Sequence, residues 1–357
     1  MIKDPLVSII VPAFRSEFFI KALIENIRKI NYPNYEVIMV FDPSDNAPEI
    51  AKKILKGNTN WKIIVNEVRL GAPQSLNIGI KNAKGDFIAI VNCDMALDKN
   101  YLTAAVRYFA KASKNVGAVN PIIYDFHKHD RIQVYKMTLM PQTGWIVSDQ
   151  YGAKSSSQFS KPVESFNGME GIIVKREVFL QAGTFNENYE ALIYDLDMNW
   201  RIWLGGFKVI TVPSVKVYHW SLKEGRQTAK WEYFNGKMVS CFIQNYSLKS
   251  LIKYLPQLIT IYTLRAIYLL IRGNSDAING WIKAIFWAVK NYNQIIKKRR
   301  DIQVNVRKVT DEYLSQKIFF KGSLFDYYHY LKNAKEKIAP ILLSKEASSK
   351  KIISYSK

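Results

Sequence analysis

Hydrophobic positions along the first half of the chain switch between two periods, and the switches mark its elements. Short β-branched and aromatic runs at Val7–Val11, Tyr35–Phe41, Trp61–Val65 and Phe87–Val91 have the length of buried strands. Between them apolar residues return every three or four positions. Phe19, Ile20, Leu23, Ile24 and Ile27 predict a helix that Ser16 can cap and that runs to about Lys29; further helices follow over Pro48–Leu55 and Pro73–Lys84. Pro12 closes the first run, and Pro43-Ser44-Asp45-Asn46 forms a turn after the second. The order βαβαβαβ predicts an α/β fold, a mostly parallel sheet wrapped by helices.

The pattern continues with a helix over Lys99–Ala112 and a strand over Val116–Pro121. From Tyr124 to Lys161 periodicity fades into polar, aromatic and serine-rich sequence, so a long loop, mobile or functional, is expected, with His127 and His129 solvated. Order returns at Phe166–Arg176, a glycine-containing approach to a short strand, and then a helix to Ala182. Asp195 and Asp197 fall in the first turn of another helix, where the helix dipole favours anions; Met198, Ile202 and Leu204 anchor it and Gly205 ends it. A strand over Lys208–Pro213 leads on to Val215-Lys216-Val217-Tyr218-His219-Trp220. Beyond Phe234 the pattern is helical.

Charge changes this picture more than composition does. The 357 residues, 48% of them apolar, allow one large or two ordinary domains with ample core. A formal net charge of +21 implies an anionic partner: nucleic acid, an anionic lipid surface or a phosphorylated substrate. No RNA-binding signature is present, so nucleic acid is not expected. Cys93 and Cys241, the two cysteines, lie too far apart in sequence to suggest a disulfide framework or a zinc site. The N-terminal apolar run is too short for a signal peptide, so a cytoplasmic protein is expected.

The candidate chemistry begins at Asn92-Cys93-Asp94, a polar cluster ending a buried strand. Open α/β sheets bind ligands at that end of their strands, though Asp94 could equally cap the following helix. After the first strand stands Pro12-Ala13-Phe14-Arg15-Ser16-Glu17, not a glycine-rich phosphate cradle, and no P-loop occurs. A nucleotide bound here would need a divalent metal to neutralise its phosphates.

These motifs, in this order and spacing, resemble family 2 glycosyltransferases, and within them the rhamnosyltransferase-like branch, over roughly the first 220 residues. Val7–Phe14 is similar to that family's opening strand and nucleotide loop, Val40–Ser44 to its base-binding strand, and Leu76–Phe87 to its helix-to-strand lead-in. Asn92-Cys93-Asp94 stands at its metal-binding motif, with Asn92 for the usual first Asp. The resemblance implies a GT-A fold with a C-terminal helical extension and an inverting sugar transfer from a nucleoside-diphosphate sugar. A lipid-linked or other glycan hydroxyl, carried on a polyprenyl phosphate or diphosphate, would be the acceptor.

It assigns nucleotide-sugar contacts to Pro12, Ala13, Phe14, Glu17, Asp42, Arg69, Asn77, Asn92 and Cys93. On the residues alone, Asp42 could simply open its turn, Arg69 could be solvated and Asn77 could be a helix-face residue. A divalent metal, Mn²⁺ or Mg²⁺, would be held by Asp94 and by His219, whose other reading is a hydrogen-bonded structural histidine. Asp195 stands where the family has its catalytic base, with Tyr194 in place of the preceding Glu; a plain acidic helix start is the alternative. Acceptor contacts fall to Gly168, Met169, Glu170, Tyr194, Asp197 and Arg226, with Glu170 where the family has a small residue. Gln227-Thr228-Ala229-Lys230-Trp231 is similar to the Gln-x-x-Arg-Trp signature of processive members, with Lys for Arg.

The expected division is a catalytic domain over 1–225, a helical region over 226–300 and a basic segment over 301–357. Leu255–Ile271 is at the lower edge of spanning length and carries Arg265 near its centre, so a membrane span is not favoured. Gly280–Tyr292, followed by Lys297-Lys298-Arg299-Arg300, fits a helix lying on an anionic membrane surface, or one packed on the catalytic domain with a wet basic end. From Lys332 the chain is expected to be loosely ordered. Two other functions remain open: a sugar-nucleotide pyrophosphorylase, which should carry a glycine-rich basic loop after strand one, and a non-catalytic adaptor derived from a transferase.

Overall fold

A computed structural model describes residues 4–148, 150–166, 168–189, 192–220, 231–323 and 325–326. Among the described residues twelve strands form: β1 Val7–Ala13, β2 Tyr35–Phe41, β3 Trp61–Val65, β4 Phe87–Ile90, β5 Met95–Leu97, β6 Val116–Asp125, β7 Ile132–Val134, β8 Thr138–Leu139, β9 Ile146–Val147, β10 Val163–Glu164, β11 Ile173–Lys175 and β12 Lys208–His219. The helices are α1 Glu17–Ile27, α2 Ala47–Ile54, α3 Ala72–Asn82, α4 Tyr101–Lys111, α5 Arg176–Ala182, α6 Leu192–Leu204, α7 Trp231–Asn245, α8 Leu248–Ile271, α9 Ser275–Lys290, α10 Tyr292–Asp301 and α11 Asp311–Lys317.

Ten strands make one mixed sheet in the order β10-β12-β6-β11-β4-β1-β2-β3, with β5 added to β12 and β7 to β6. The block β4-β1-β2-β3 is parallel, as the alternating pattern predicts. Strand β11 enters antiparallel between β4 and β6. This reversal positions the site, because it brings the residues before β11 beside those that follow β4.

Alternation along β1 explains the two cores. Val7, Ile9 and Val11 face α1, α2 and α4, while Ile10 faces α3 and the helices that follow. Gly79 lets α3 approach closely: a Cβ there would stand 2.3 Å from the Ile10 side chain. The second core continues without a break through Trp200, Phe242, Tyr246, Leu258, Trp281 and Leu314. The helices beyond residue 231 therefore share one core with the sheet, and Ile302, Leu314 and Ile318, within the segment expected only to be basic, are fully buried.

Three expectations change. Ser16 does not cap α1; instead the Glu17 N–H donates to Asp45 Oδ2 at 2.9 Å, tying the loop after β1 to the turn after β2. Strand β6 runs past Pro121 to Asp125, and β12 runs through Pro213 to His219 with a register shift between Val212 and Lys216. Much of the segment read as a loop is built: β7 joins the sheet, β8 pairs with β9, and Ile132, Tyr135 and Phe159 pack on Ile122 and Tyr124. His127 and His129 are exposed as expected, with rings 4.3 Å from Trp220 and 4.7 Å from Tyr218 respectively.

Candidate active site

Asp94 follows the carboxyl end of β4, and His219 closes β12. β12 pairs antiparallel with β5, putting His219 opposite Met95, and His219 Nε2 lies 3.1 Å from Asp94 Oδ2. The structure thus brings together two side chains 125 positions apart. Gln133 on β7 fixes the histidine. Its amide nitrogen is within 3.3 Å of both Asp125 Oδ2 and the His219 carbonyl, so its Oε1 faces His219 Nδ1 at 3.0 Å. An oxygen there accepts from Nδ1–H, leaving Nε2 with its lone pair turned toward a carboxylate. Two acceptors at that distance need a cation between them or a proton on the ring. A carboxylate oxygen and an oriented imidazole would suit Mn²⁺ or a similar divalent ion. Among the described residues no cluster of three or more His, Cys, Asp or Glu forms a complete protein site.

The second carboxylate, Asp195, is held by the segment that leads into β11. Ile90 N–H donates to the Ile172 carbonyl at 2.9 Å, and Ile173 pairs with Ala89, so residues 168–171 run alongside 91–94. Asp195, in the first turn of α6, accepts from the Met169 backbone N–H. It is 6% exposed, and its pKa is pushed well above the ordinary carboxylate range, first by burial and then by the Glu170 charge. Burial, with Asp195 and then Glu170, also pushes up the Tyr194 hydroxyl, keeping it a neutral donor. A Cβ on Gly168 would meet nothing within 4 Å, so the approach is open there, whereas Met169 is buried.

The nucleotide side is less direct than expected. Phe14 carries the Arg69 guanidinium 4.2 Å above its ring, a half-exposed flat platform at the loop after β1. Glu17 is exposed and accepts from the Asn46 N–H at 3.4 Å. Asn92 is partly exposed, and the Cys93 thiol donates to the Pro12 carbonyl at 3.5 Å. Its enclosed setting, with Asp94 adding to it, pushes that thiol up to about 12, so it stays protonated.

Three assignments need correction. Asp42 does not present its carboxylate to a base: it is 4% exposed and accepts from the Leu70 and Gly71 N–H groups, Asn66 and Ser75, holding the loop that carries Arg69. Asn77 does not face a sugar: Oδ1 accepts from Phe185 N–H, and Nδ2 donates to Phe185 O and Glu187, all at 2.9 Å. Asp197 cannot meet an acceptor: it is fully buried, with Oδ2 bonded twice by Arg201 and Oδ1 accepting from Asn245 at 3.0 Å. All three are positioning residues. Arg226 and residues 227–230 lie outside the described residues, as does the chain from Lys332.

Gln133, Arg201 and Asn245 were missed. Arg201 had a signal, its spacing of four from Asp197 on a helix. Gln133 had none, because its segment lacks periodicity.

Residues 8–178 match the family described as Glycosyl transferase family 2. The chain is similar to Glycosyltransferase GlyG of Streptococcus pneumoniae serotype 4, 31% identical over 121 residues, which cover 34% of this chain and 40% of that protein. It is also similar to the dolichyl N-acetyl-alpha-D-glucosaminyl phosphate 3-beta-D-2,3-diacetamido-2,3-dideoxy-beta-D-glucuronosyltransferase of Methanococcus voltae, 26% identical over 226 residues, 58% of this chain and 65% of that protein. The matched lengths are thus less than two thirds of either relative. Among solved structures, S. aureus TarS 1-349 in complex with UDP-GlcNAc matches with a TM-score of 0.55 at 19% identity, covering 87% of this chain and 92% of that one. The fold is GT-A, as the resemblance implies, and the likeness extends over the C-terminal helices. Nothing in these matches singles out the rhamnosyltransferase-like branch.

Proposed function

Through residues 8–178 the chain belongs to glycosyl transferase family 2, and on that premise we propose that it is an inverting, metal-dependent glycosyltransferase. Its donor is a nucleoside-diphosphate sugar, and its acceptor is a hydroxyl of a glycan carried on a polyprenyl phosphate or diphosphate. The Methanococcus voltae relative, whose name specifies a dolichyl phosphate-linked sugar acceptor, supports this choice.

The observation that supports the reading is that Met169, whose N–H holds Asp195, precedes β11, while Asp94, beside His219, follows the neighbouring antiparallel strand β4. A bound divalent ion at that pair would supply the charge that stabilises the departing diphosphate. Asp195 takes the proton of the acceptor hydroxyl as its oxygen attacks the anomeric carbon. The bond from that carbon to the diphosphate oxygen breaks, and its electron pair leaves with the nucleoside diphosphate. A single displacement of this kind inverts the anomeric centre. Burial makes Asp195 a stronger base than a solvated carboxylate, closer to the working pH. The Met169 N–H orients it, and Glu170 and Tyr194 stand beside it where an acceptor hydroxyl must enter. Phe14 and Arg69 offer a face for the nucleotide base.

The test is a panel of UDP-, GDP- and dTDP-sugars with the full chain and Mn²⁺, scoring metal-dependent hydrolysis or transfer. Asp195→Asn should lower turnover by roughly 10²–10⁴-fold while nucleotide binding, measured by calorimetry, is kept. Ordinary turnover by that variant would refute the assignment of the base.

A further inference from the structure

Large apolar side chains left in water concentrate on one part of the surface. On α8, Leu264 is 62% exposed and Ile271 78%, with Ile259, Ile267 and Leu270 also in solvent. On α9, Phe286 is 70% exposed and Val289 68%, flanked by Ile282 and Ile285. Both helices are two-faced. Leu258, Tyr262 and Ala266 are the buried side of α8, and Ala277, Gly280, Trp281 and Ala284 that of α9. The pair is locked together by Trp281 Nε1 donating to Thr263 Oγ1 at 2.9 Å, around a turn at Gly273 with a positive φ of 85°. No apolar partner among the described residues covers the outer stripes.

Charge says what covers them. Between Leu248 and Tyr292, leaving out Arg265, which turns inward onto Trp145, the sequence holds five basic residues (Lys249, Lys253, Arg272, Lys283 and Lys290) against one acidic, Asp276. A second copy of the chain meeting this face about a two-fold axis would set basic residues on basic residues with almost no carboxylate between them. An anionic surface answers both features at once, taking apolar side chains at the headgroup boundary and cations at its phosphates.

We propose that the outer face of the α8–α9 hairpin docks on an anionic lipid bilayer, lying in the interface. α8 is, among the described residues, the one helix long and apolar enough to cross a membrane. Its inner side is nevertheless fastened to the body: the Tyr262 hydroxyl donates to the Thr143 carbonyl at 2.8 Å, and Arg265 stacks on Trp145 at 5.1 Å. A helix so held lies along the surface. The hairpin packs on α7, and α7 packs on α6, where Phe242 meets Trp200 at 5.9 Å. Docking would therefore hold the helix that carries Asp195 at a fixed height above the lipid.

The experiment is flotation of the full chain with vesicles of phosphatidylcholine alone, or of equal parts phosphatidylcholine and phosphatidylglycerol. No sugar substrate is present, so the result is independent of the transfer chemistry. The wild-type chain should float with the anionic vesicles, less so as salt is raised, and stay at the bottom with the neutral ones. Ile285→Ser with Phe286→Ser should weaken binding by roughly tenfold or more, since each removes apolar area from the interface. Lys249→Glu with Lys290→Glu, which leaves every apolar contact intact, should weaken it similarly. Unchanged melting of either variant shows that the fold is kept. Failure of the wild type to float, equal flotation by the charge-reversed variant, or a dimer in sedimentation that the serine pair abolishes would each overturn the proposal.

Discussion

Glu170 is the residue whose removal speaks most directly to the chemistry. After burial it is the main cause of the raised pKa of Asp195. A base works unprotonated, so turnover should rise with pH through the folded-state pKa of Asp195, above the ordinary value of about 3.9. Glu170→Gln removes the like charge and lowers that pKa, so the acid limb of the pH–rate profile should move to lower pH; a limb that stays put would detach Glu170 from the base. The sign for stability is opposite. A raised carboxyl binds its proton more tightly folded than unfolded, so its contribution is full below the unfolded pKa and is lost as pH rises through the folded one. Gln133 acts through His219. Gln133→Leu strips the acceptor from His219 Nδ1 and should weaken Mn²⁺ binding by roughly 10–100-fold, read from the metal dependence of the rate, with little change in melting.

Helix α6 shows how an element aims a residue. Its first turn presents Asp195, while the Asp197–Arg201 pair that follows, fully buried at 2.8 Å, bolts it down. Arg201 also donates to the carbonyls of Ala182 and Thr184, and Asp197 receives Asn245 from α7. Asp197→Asn leaves a buried guanidinium without its counter-charge and should cost about 3–5 kcal/mol in denaturant unfolding. The same element marks the limit of what the chain discloses. Two acidic residues at a helix start are visible, but their different fates depend on which side of α6 meets α7, a tertiary fact. The parallel block was legible because each strand is a continuous apolar run of ordinary length. β6 and β12 were cut short at Pro121 and Pro213, since a proline within a run argues against a central strand, yet pairing resumes beyond both. Residues 124–161 were illegible for another reason. Their short strands are held by neighbours distant in sequence, such as Leu139 bonded to Phe320 and Ile318, and carry little periodicity of their own.

At the scale of the molecule, the C-terminal helices are part of one body with the sheet. Arg299 donates to the Ile243 and Tyr246 carbonyls, Gln303 to those of Gln244 and Asn245, and Arg307 to Asn245 again, so the last turn of α7 has its free carbonyls satisfied from α10 and the residues beyond it. Asp311 Oδ2 accepts the Ser247 N–H at 2.9 Å and pairs with Arg307, closing the link to the start of α8. The side chains of this segment finish the core, with Ile302, Leu314 and Ile318 fully buried and Val306 and Phe319 nearly so. Ending the chain at Asp301 would expose that apolar surface and orphan the carbonyls of Gln244 and of Asn245, the partner of Asp197. The truncated chain should therefore lose soluble expression or melt many degrees lower, and any soluble fraction should lose sugar transfer along with it. A truncation that melts like the full chain would mean that the family 2 domain stands alone and that the extension is only attached to it.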